Sequence, residues 1–393
     1  MAPAAGPKLR VAGVEAIPVA LPVRREWRWR GLGGGLGRWV IVRVRTEEGP
    51  VGLGEATPLP DWGGDFNRYA GETPYTVAHV VEELLGPAVS GADPFDVETL
   101  VNKMDAVVRG HLYAKAAVEM ALYDLQGKAA GLPVYKLLGG EYRPGVRVAH
   151  MVGLMQKERA VEEALAALED GCTAFQVKAD GDPGRDAAVT RALREALGPD
   201  VLLRVDVNQG YRCLGVKEAI RAVRGLRDAG ADCVEQPTEG AAEMAAVTAA
   251  VDVTVIADES AWQARDVVGI ARGNVADAVS VYVAKAGGLL GAKKVATVAE
   301  ACGLPCDVNG SLESGVGNAA SIHLATACPA ISLPCVIPVT MPAGGPSRTA
   351  GRYYADDVVT RPFSFQDGVL RAPEGPGLGV ELDEEKLEAY RVR

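Results

Sequence analysis

AFQVKADGDPGRDAAVTRALREALGPDVLLRVDVNQGY, residues Ala174–Tyr211, is the stretch on which the fold turns. An apolar run ends in Lys178, a helical stretch over Arg185–Leu197 stops at Gly198, and a second apolar run ends in Asp206. Glycine just past a periodic stretch is a common helix stop, because it tolerates the conformation that closes the last turn. Two short strands joined by a helix of this length form a βαβ unit, whose strands run parallel.

The unit repeats on both sides. Candidate strands are Val146–Met151, Ala174–Lys178, Val201–Asp206, Cys233–Glu235, Thr254–Asp258, Ala278–Val283, Pro305–Val308 and Ile331–Val336. Further helical stretches at Arg159–Asp170, Val216–Ala229 and Gly291–Ala301 end near Gly171, Gly230 and Gly303. Strand ends recur every 23 to 29 residues or so, roughly one βα unit, and about eight units predict a closed barrel rather than an open doubly wound sheet. Ahead of it, Val11–Leu21, Trp39–Arg45 and Val51–Glu55 read as antiparallel strands, with helices at Ala78–Leu84 and Lys115–Ala130. The expected class is α/β: a (β/α)8-type, modified TIM barrel over residues 141–362, with an α+β capping domain from residues 1–140 and a tail, 363–393, that returns to it.

Composition removes other classes. Asp and Glu number 51 against 41 Lys and Arg, a formal charge of −10, whereas a phosphate-backbone binder needs clustered cations. The most apolar window, Ala245–Ala257, is broken by Thr248, Asp252 and Thr254 and is too short to span a bilayer. MAPAAGPKLR lacks the basic start and apolar core of a secretory signal. Seven cysteines without a CxxC pair suit a reduced, cytoplasmic protein, and the four histidines, His79, His111, His150 and His323, are too scattered for a His-rich metal site.

Barrel active sites form where the strands end. Lys178, Asp206, Glu235 and Asp258 end successive candidate strands, and Lys285 follows the next. A single such carboxylate is as readily a helix cap or a lysine's partner; three on neighbouring strands converge. Three acidic oxygens with no Cys or His beside them suit a hard cation, Mg²⁺ first and Mn²⁺ second. Lys178 and Lys285 belong to the second and sixth strands, which are opposite in a ring of eight. Two bases on opposite faces of one carbon can remove a proton from one side and return it from the other. The proton α to a carboxylate is barely acidic, and a divalent cation offsets the charge that develops when it leaves.

The chain resembles the enolase superfamily, specifically its muconate lactonizing enzyme-like subgroup in the mandelate racemase/muconate lactonizing enzyme family. The resemblance is carried in order by AVEMALYDLQGKAAGLPVYKLLGG (Ala117–Gly140), FQVKAD, RVDVNQGY, VEQP, IADES, VYVAKAGGL, SLESGVGNAASIHLA and GVLRAPEGPGLGVEL (Gly368–Leu382). It implies Mg²⁺ on Asp206, Glu235 and Asp258, acid/base roles for Lys178 and Lys285, and supporting roles for Asn208, Glu259 and Glu313. It also implies a small-molecule carboxylate substrate and a homo-oligomer. One departure stands out: where the family commonly has a lysine two residues before the catalytic one, this chain has Gln176. Pro305–Glu313 holds no histidine, unlike the mandelate racemase-like subgroup.

Specificity is expected from capping loops. Trp27, Trp29, Trp39 and Trp62 all lie in the first 62 residues, and Arg24–Arg38 surrounds a glycine run that reads as a lid. GLGGGLG is not a dinucleotide fingerprint, lacking the strand-then-helix setting. Trp27, Trp29, Trp62 and Tyr69 are the candidate specificity residues; aromatic faces hold an ammonium, and Arg28 or Arg30 offers a site for a second carboxylate. The expected activity is that of an isomerase: a racemase or epimerase of an amino acid or a cyclic or N-methylated derivative. Dehydration of a hydroxyproline-like acid (a lyase) and muconate-type cycloisomerisation are the alternatives. A degenerate, non-catalytic barrel fits poorly, since all five charged strand-end residues are kept.

Overall fold

The computed structural model describes residues 9–30, 32, 35–339, 345 and 347–392. Strands β1 (Val11–Ala20), β2 (Arg38–Thr46) and β3 (Val51–Ala56) form an antiparallel meander. Helices α1 (Pro74–Val80) and α3 (Leu112–Ala130) lie against it, and α2 (Val97–Val107) packs on α3. Helix α3 is buried from Leu112 through Gly127, including the polar Lys115, Glu119, Asp124 and Gln126. It packs on β3 without a gap: a Cβ on Gly54 would lie 1.9 Å from the Ala117 carbonyl oxygen.

The second region is a parallel sheet, whose order is β11-β10-β9-β8-β7-β6-β5. These strands are β5 (His150–Val152), β6 (Ala174–Lys178), β7 (Leu202–Asp206), β8 (Cys233–Glu235), β9 (Thr254–Ala257), β10 (Ala278–Val281) and β11 (Cys306–Val308). Helices α4 (Lys157–Glu169), α5 (Pro183–Leu197), α6 (Val216–Asp228), α7 (Ala241–Thr248), α8 (Ala264–Gly273), α9 (Leu289–Ala301) and α10 (Gly315–Ala327) each follow one strand. This is a modified TIM barrel.

Two elements differ from the sequence expectation. Ile331–Val336 is not a regular strand. It closes the ring by single bridges, Cys306 with Ile331 and Val148 with Cys335, and by the Val336 N–H donated to the Val308 carbonyl. Pro329, Pro334 and Pro338 crowd this segment, and a proline cannot donate to a ladder. The first candidate strand is also split. Its start, β4 (Val146–Arg147), joins a small antiparallel sheet with β12 (Phe365–Gln366) and β13 (Val369–Leu370) of the tail. The tail then runs to α11 (Glu384–Tyr390), and the Val392 N–H reaches the Pro18 carbonyl of β1. Among the described residues no helix is long and apolar enough to cross a membrane. No cysteine is paired; Cys213 and Cys302 are exposed and the other five are buried.

The close approach of β3 and α3 is testable. Gly54→Ala should lower unfolding stability by about 2–3 kcal/mol, the cost of an overpacked contact that backbone cannot easily relieve. The urea unfolding midpoint reads it, and an unchanged midpoint would contradict the packing.

Candidate active site

Parallel register sets the site. Lys178 pairs with Asp206, and Asp206 with Glu235, so three charged residues stand in one row at the strand ends. Asp258 follows the last residue of β9, and Lys285 lies in the turn after β10. All three carboxylates are buried. Lys178 Nζ lies 2.5 Å from Asp206 Oδ2 and 3.4 Å from Asn208 Oδ1. Lys285 Nζ donates to Asp258 Oδ1 at 2.7 Å, to the Asp258 carbonyl at 2.8 Å and to the Ser280 carbonyl at 2.9 Å. Tyr282 Oη donates to the other oxygen of Asp258 at 3.0 Å.

Glu235 is held from three sides. Gln176 Nε2 donates to its Oε2 at 2.9 Å and also approaches Asp206 Oδ2 at 3.3 Å. Asn309 Nδ2 donates to Oε1 at 3.2 Å. Arg204, two residues before Asp206 and therefore on the same face of β7, reaches Glu235 at 3.3 Å, and it also pairs with Asp307 and the Pro334 carbonyl. Gln176 thus acts on the carboxylates rather than on Lys178.

The crowding of negative charge shows in the protonation equilibria. Burial, then the charges of Glu235 and Asp258, push the Asp206 carboxyl up to about 7 in spite of Lys178. Glu259, buried beside Asp258 and Asp206, is raised well above the carboxylate range. Burial works to lower the Lys178 ammonium, but Asp206, Glu235 and Asp258 outweigh it and hold it above its ordinary value. Asn208 donates to Glu259 Oε1 at 3.2 Å, while Glu259 Oε2 is buried with no hydrogen-bond partner. Among the described residues, no three His, Cys, Asp or Glu groups are disposed to hold a metal ion together as they are oriented. Asp206 is turned to Lys178 and Asp258 to Lys285. The donor set itself is all oxygen, buried and short of positive charge, which is the chemistry a hard divalent cation needs.

A cavity opens on this row, lined among others by Trp29, Trp62, Lys178, Asn208, Asp258 and Tyr282. Trp62 lies between Tyr282, at 5.4 Å between ring centroids, and Trp262, at 5.0 Å. Trp27 does not line it: the ring is buried against Tyr353 and its Nε1 donates to the Tyr353 carbonyl. Tyr69 does not either; it stacks on the far side of Trp262 at 4.4 Å and its hydroxyl donates to Asp266. Arg30 donates to the Asp180 carbonyl and Arg28 pairs with Glu26 at the surface, so neither offers a cation to the cavity. Gly31, Gly33 and Gly34 of the expected lid lie outside the described residues. Glu313 accepts from the Ser311 N–H behind the β11 loop, next to the Glu55 carboxylate. Tyr282, Trp262, Arg204 and Asn309 were not singled out from sequence; the spacing of Arg204 from Asp206 was the one available signal.

A family model for the enolase C-terminal domain-like fold matches residues 159–386, and one for the mandelate racemase/muconate lactonizing enzyme N-terminal domain matches 35–139. The chain belongs to the enolase superfamily, in its muconate lactonizing enzyme-like subgroup. Within it, the N-succinyl-L-Arg/Lys racemase of Bacillus cereus is 31% identical over 355 residues, 90% of each chain. The L-Ala-D/L-Glu epimerase of Bacillus subtilis is 32% identical over 95% of this chain and 97% of its own. The crystal structure of 2-chloromuconate cycloisomerase from Rhodococcus opacus superposes with a TM-score of 0.87 at 30% identity, covering 98% of this chain and all of that one. This enolase-superfamily chain is an isomerase.

Arg204 gives the site's energetic test. Arg204→Met strands Glu235 and Asp307 as buried charges without their cation and should cost about 3–5 kcal/mol. Adding Asp307→Leu removes one uncompensated charge and should recover part of that loss. A double variant no more stable than the single one, by urea unfolding, would contradict this account.

Proposed function

We propose that this chain racemises or epimerises an amino-acid derivative, moving the proton α to its carboxylate between Lys178 and Lys285. The observation that carries this reading is the placement of the two lysines. They belong to strands opposite in the ring, and each is tied to a different carboxylate of one buried cluster. An α-carbon held between them would present one face to each, to Lys178 at the cavity wall and to Lys285 once it is released from Asp258. One lysine, as the free amine, accepts the proton as the C–H bond breaks; the other, as the ammonium, donates a proton to the opposite face, and the reverse reaction exchanges the roles. Relatives named as a racemase and an epimerase support the same chemistry.

Asp206, Glu235 and Asp258 are the residues to hold Mg²⁺, or Mn²⁺, with Asn208 and Glu259 beside them. When bound, the cation supplies positive charge against the substrate carboxylate as it takes on a second negative charge. Lys178 then shares its carboxylates with a stronger cation and loses the field that keeps it protonated.

The substrate we infer has one carboxylate and a cyclic or N-methylated amine. Among the described side chains that line the cavity, Lys178 is the only cation, which suits a substrate with a single carboxylate. Trp29 and Trp62 line the cavity instead, and aromatic rings suit an alkylated ammonium. This favours racemisation over the cycloisomerisation of a muconate-type diacid.

The test is α-proton exchange in D₂O with Mg²⁺ on both enantiomers of N-methylproline, proline betaine, N-succinylarginine and 3-hydroxyproline. Wild type should exchange N-methylproline or proline betaine, and exchange of N-succinylarginine alone would overturn the single-carboxylate substrate. Lys178→Ala should lose exchange from one enantiomer and Lys285→Ala from the other, each by about 10²–10⁴-fold, the usual worth of a positioned base. Loss of the same enantiomer in both variants would overturn the two-base reading. Loss of water from 3-hydroxyproline, giving the cyclic imine Δ1-pyrroline-2-carboxylate, without exchange elsewhere, would replace it with dehydration.

Metal binding is read separately. Mg²⁺ at a hundredfold excess over its Kd should stabilise wild type by about 2.7 kcal/mol by linkage, and Asp258→Asn should lose that gain. Equal stabilisation of both proteins in thermal unfolding would count against these ligands.

A further inference from the structure

Glu119 lies on α3 of the capping region, outside the carboxylate cluster, and is fully buried. Its two oxygens accept the first two backbone N–H groups of α9, Oε2 from Leu289 and Oε1 from Leu290, both at 2.8 Å. Helix α9 begins after Gly288, which has no side chain with which to cap it. The free N–H groups at a helix start need an acceptor, and here it comes from another part of the molecule.

What precedes α9 is the turn that carries Lys285. The Ala286 N–H donates to the Tyr282 carbonyl, Gly287 to Ala284 and Gly288 to Val283, so the residues between β10 and α9 form one closed turn. Its first end is fixed by β10 and its second by Glu119. The fit is close. Gly288 has φ +133°, and a Cβ there would lie 2.4 Å from the Glu119 carboxyl group. At the start of the same α3, Leu112 stands 3.3 Å from where a Cβ on Gly287 would be. The Lys178 side is built differently. Its following helix, α5, is capped from within by Asp182, which accepts from Gly184 and Arg185. The helix after Lys178 is capped from within the barrel, whereas the helix after Lys285 is capped from the N-terminal region, although Arg30 also reaches the Asp180 carbonyl.

We propose that Glu119 is a positioning residue for Lys285, tying the docking of α3 to the placement of one of the two bases and not the other. The proposal rests on the two-base reading above. It predicts a lopsided defect. In Glu119→Gln the amide keeps one acceptor but turns N–H groups toward a second N–H, so the Lys285 turn loosens while the Lys178 loop is untouched. Gly288→Ala presses on the same contact from the other side.

The experiment has two arms. Amide hydrogen exchange by mass spectrometry compares the peptide spanning 283–290 with that spanning 178–186. Glu119→Gln should speed the first by about tenfold or more and leave the second within about twofold, the signature of local opening. Equal change in both peptides, or in neither, overturns the proposal whatever the enzyme catalyses. The second arm uses both enantiomers of whichever N-methylproline, proline betaine or N-succinylarginine the wild type exchanges fastest in D₂O with Mg²⁺. Glu119→Gln and Gly288→Ala should cut kcat at least about tenfold for the enantiomer that Lys285→Ala abolishes, since an ångström of misplacement can cost a hundredfold. KM and the other enantiomer should stay within about twofold. A symmetric loss in the folded variants would make Glu119 merely structural and overturn the proposal. If Lys285→Ala itself shows no preference between enantiomers, the two-base reading fails, and the hydrogen-exchange arm alone decides whether Glu119 holds the turn.

Discussion

Burying carboxylates is the constraint around which the barrel mouth is arranged. Removing one ionised carboxylate from water costs several kcal/mol even after relaxation. Here Asp206, Glu235, Asp258, Glu259 and Asp307 are buried together with Lys178, Lys285 and Arg204 as their nearby cations. With all ionised, the cluster is two positive charges short. The neighbouring polar groups are spent on the same problem: Gln176 and Asn309 donate to Glu235, Tyr282 to Asp258, and Asn208 to Glu259. The backbone pays too: Asn208, Gln209, Gln236 and Leu312 have positive φ just past the ends of β7, β8 and β11. Residues of these types leave the favoured regions at a cost of about 1–3 kcal/mol each where the surroundings enforce it.

The same side-chain chemistry joins the cap to the barrel. Glu55 of β3 accepts from the Ser314 and Gly317 N–H groups at the start of α10, as Glu119 does at the start of α9. Burial pushes Glu55 up to about 7 and Glu119 up to about 8, against the pull of those N–H groups. Aromatic stacking forms the other join. Tyr69 and Trp62 of the cap sandwich Trp262 of the β9–α8 loop, and Trp62 continues onto Tyr282, which touches Asp258. These rings form a chain of contacts from the cap loop to the carboxylate cluster.

Much of this was legible in the chain because barrel strands place a charge at a fixed point of each repeat. Lys178, Asp206 and Glu235 fall at the ends of strands whose limits, Ala174–Lys178 and Cys233–Glu235, agree with the sequence reading. The eighth position was less regular than the repeat suggested, because prolines remove its ladder donors. The capping loops were the least readable. Trp27, Trp29, Trp62 and Tyr69 all sit in irregular segments, and no periodicity tells which side of such a segment faces the cavity. Trp29 and Trp62 do; Trp27 and Tyr69 spend their polar atoms on Tyr353 and Asp266. Tyr282 was hidden by its position between a strand and a turn, although it is three residues before Lys285.

Gln176 shows how one neutral residue redistributes the electrostatics. A lysine there would add a positive charge to a buried group that is two short, bringing it closer to balance without a divalent ion and lowering Lys178 by like-charge repulsion. Glutamine donates hydrogen bonds to Glu235 and Asp206 but leaves their charge in place. Lys178 therefore keeps the attraction of these carboxylates, which a bound cation would weaken. Lys285 is placed differently, fully buried with all three ammonium protons directed to Asp258 and the Ser280 carbonyl. In a two-base mechanism the dependence on metal is then unequal: the field around Lys178 is set chiefly by what neutralises Asp206, whereas Lys285 depends on Asp258 and on a turn held from the cap. The groups that tune the two lysines come from different parts of the fold.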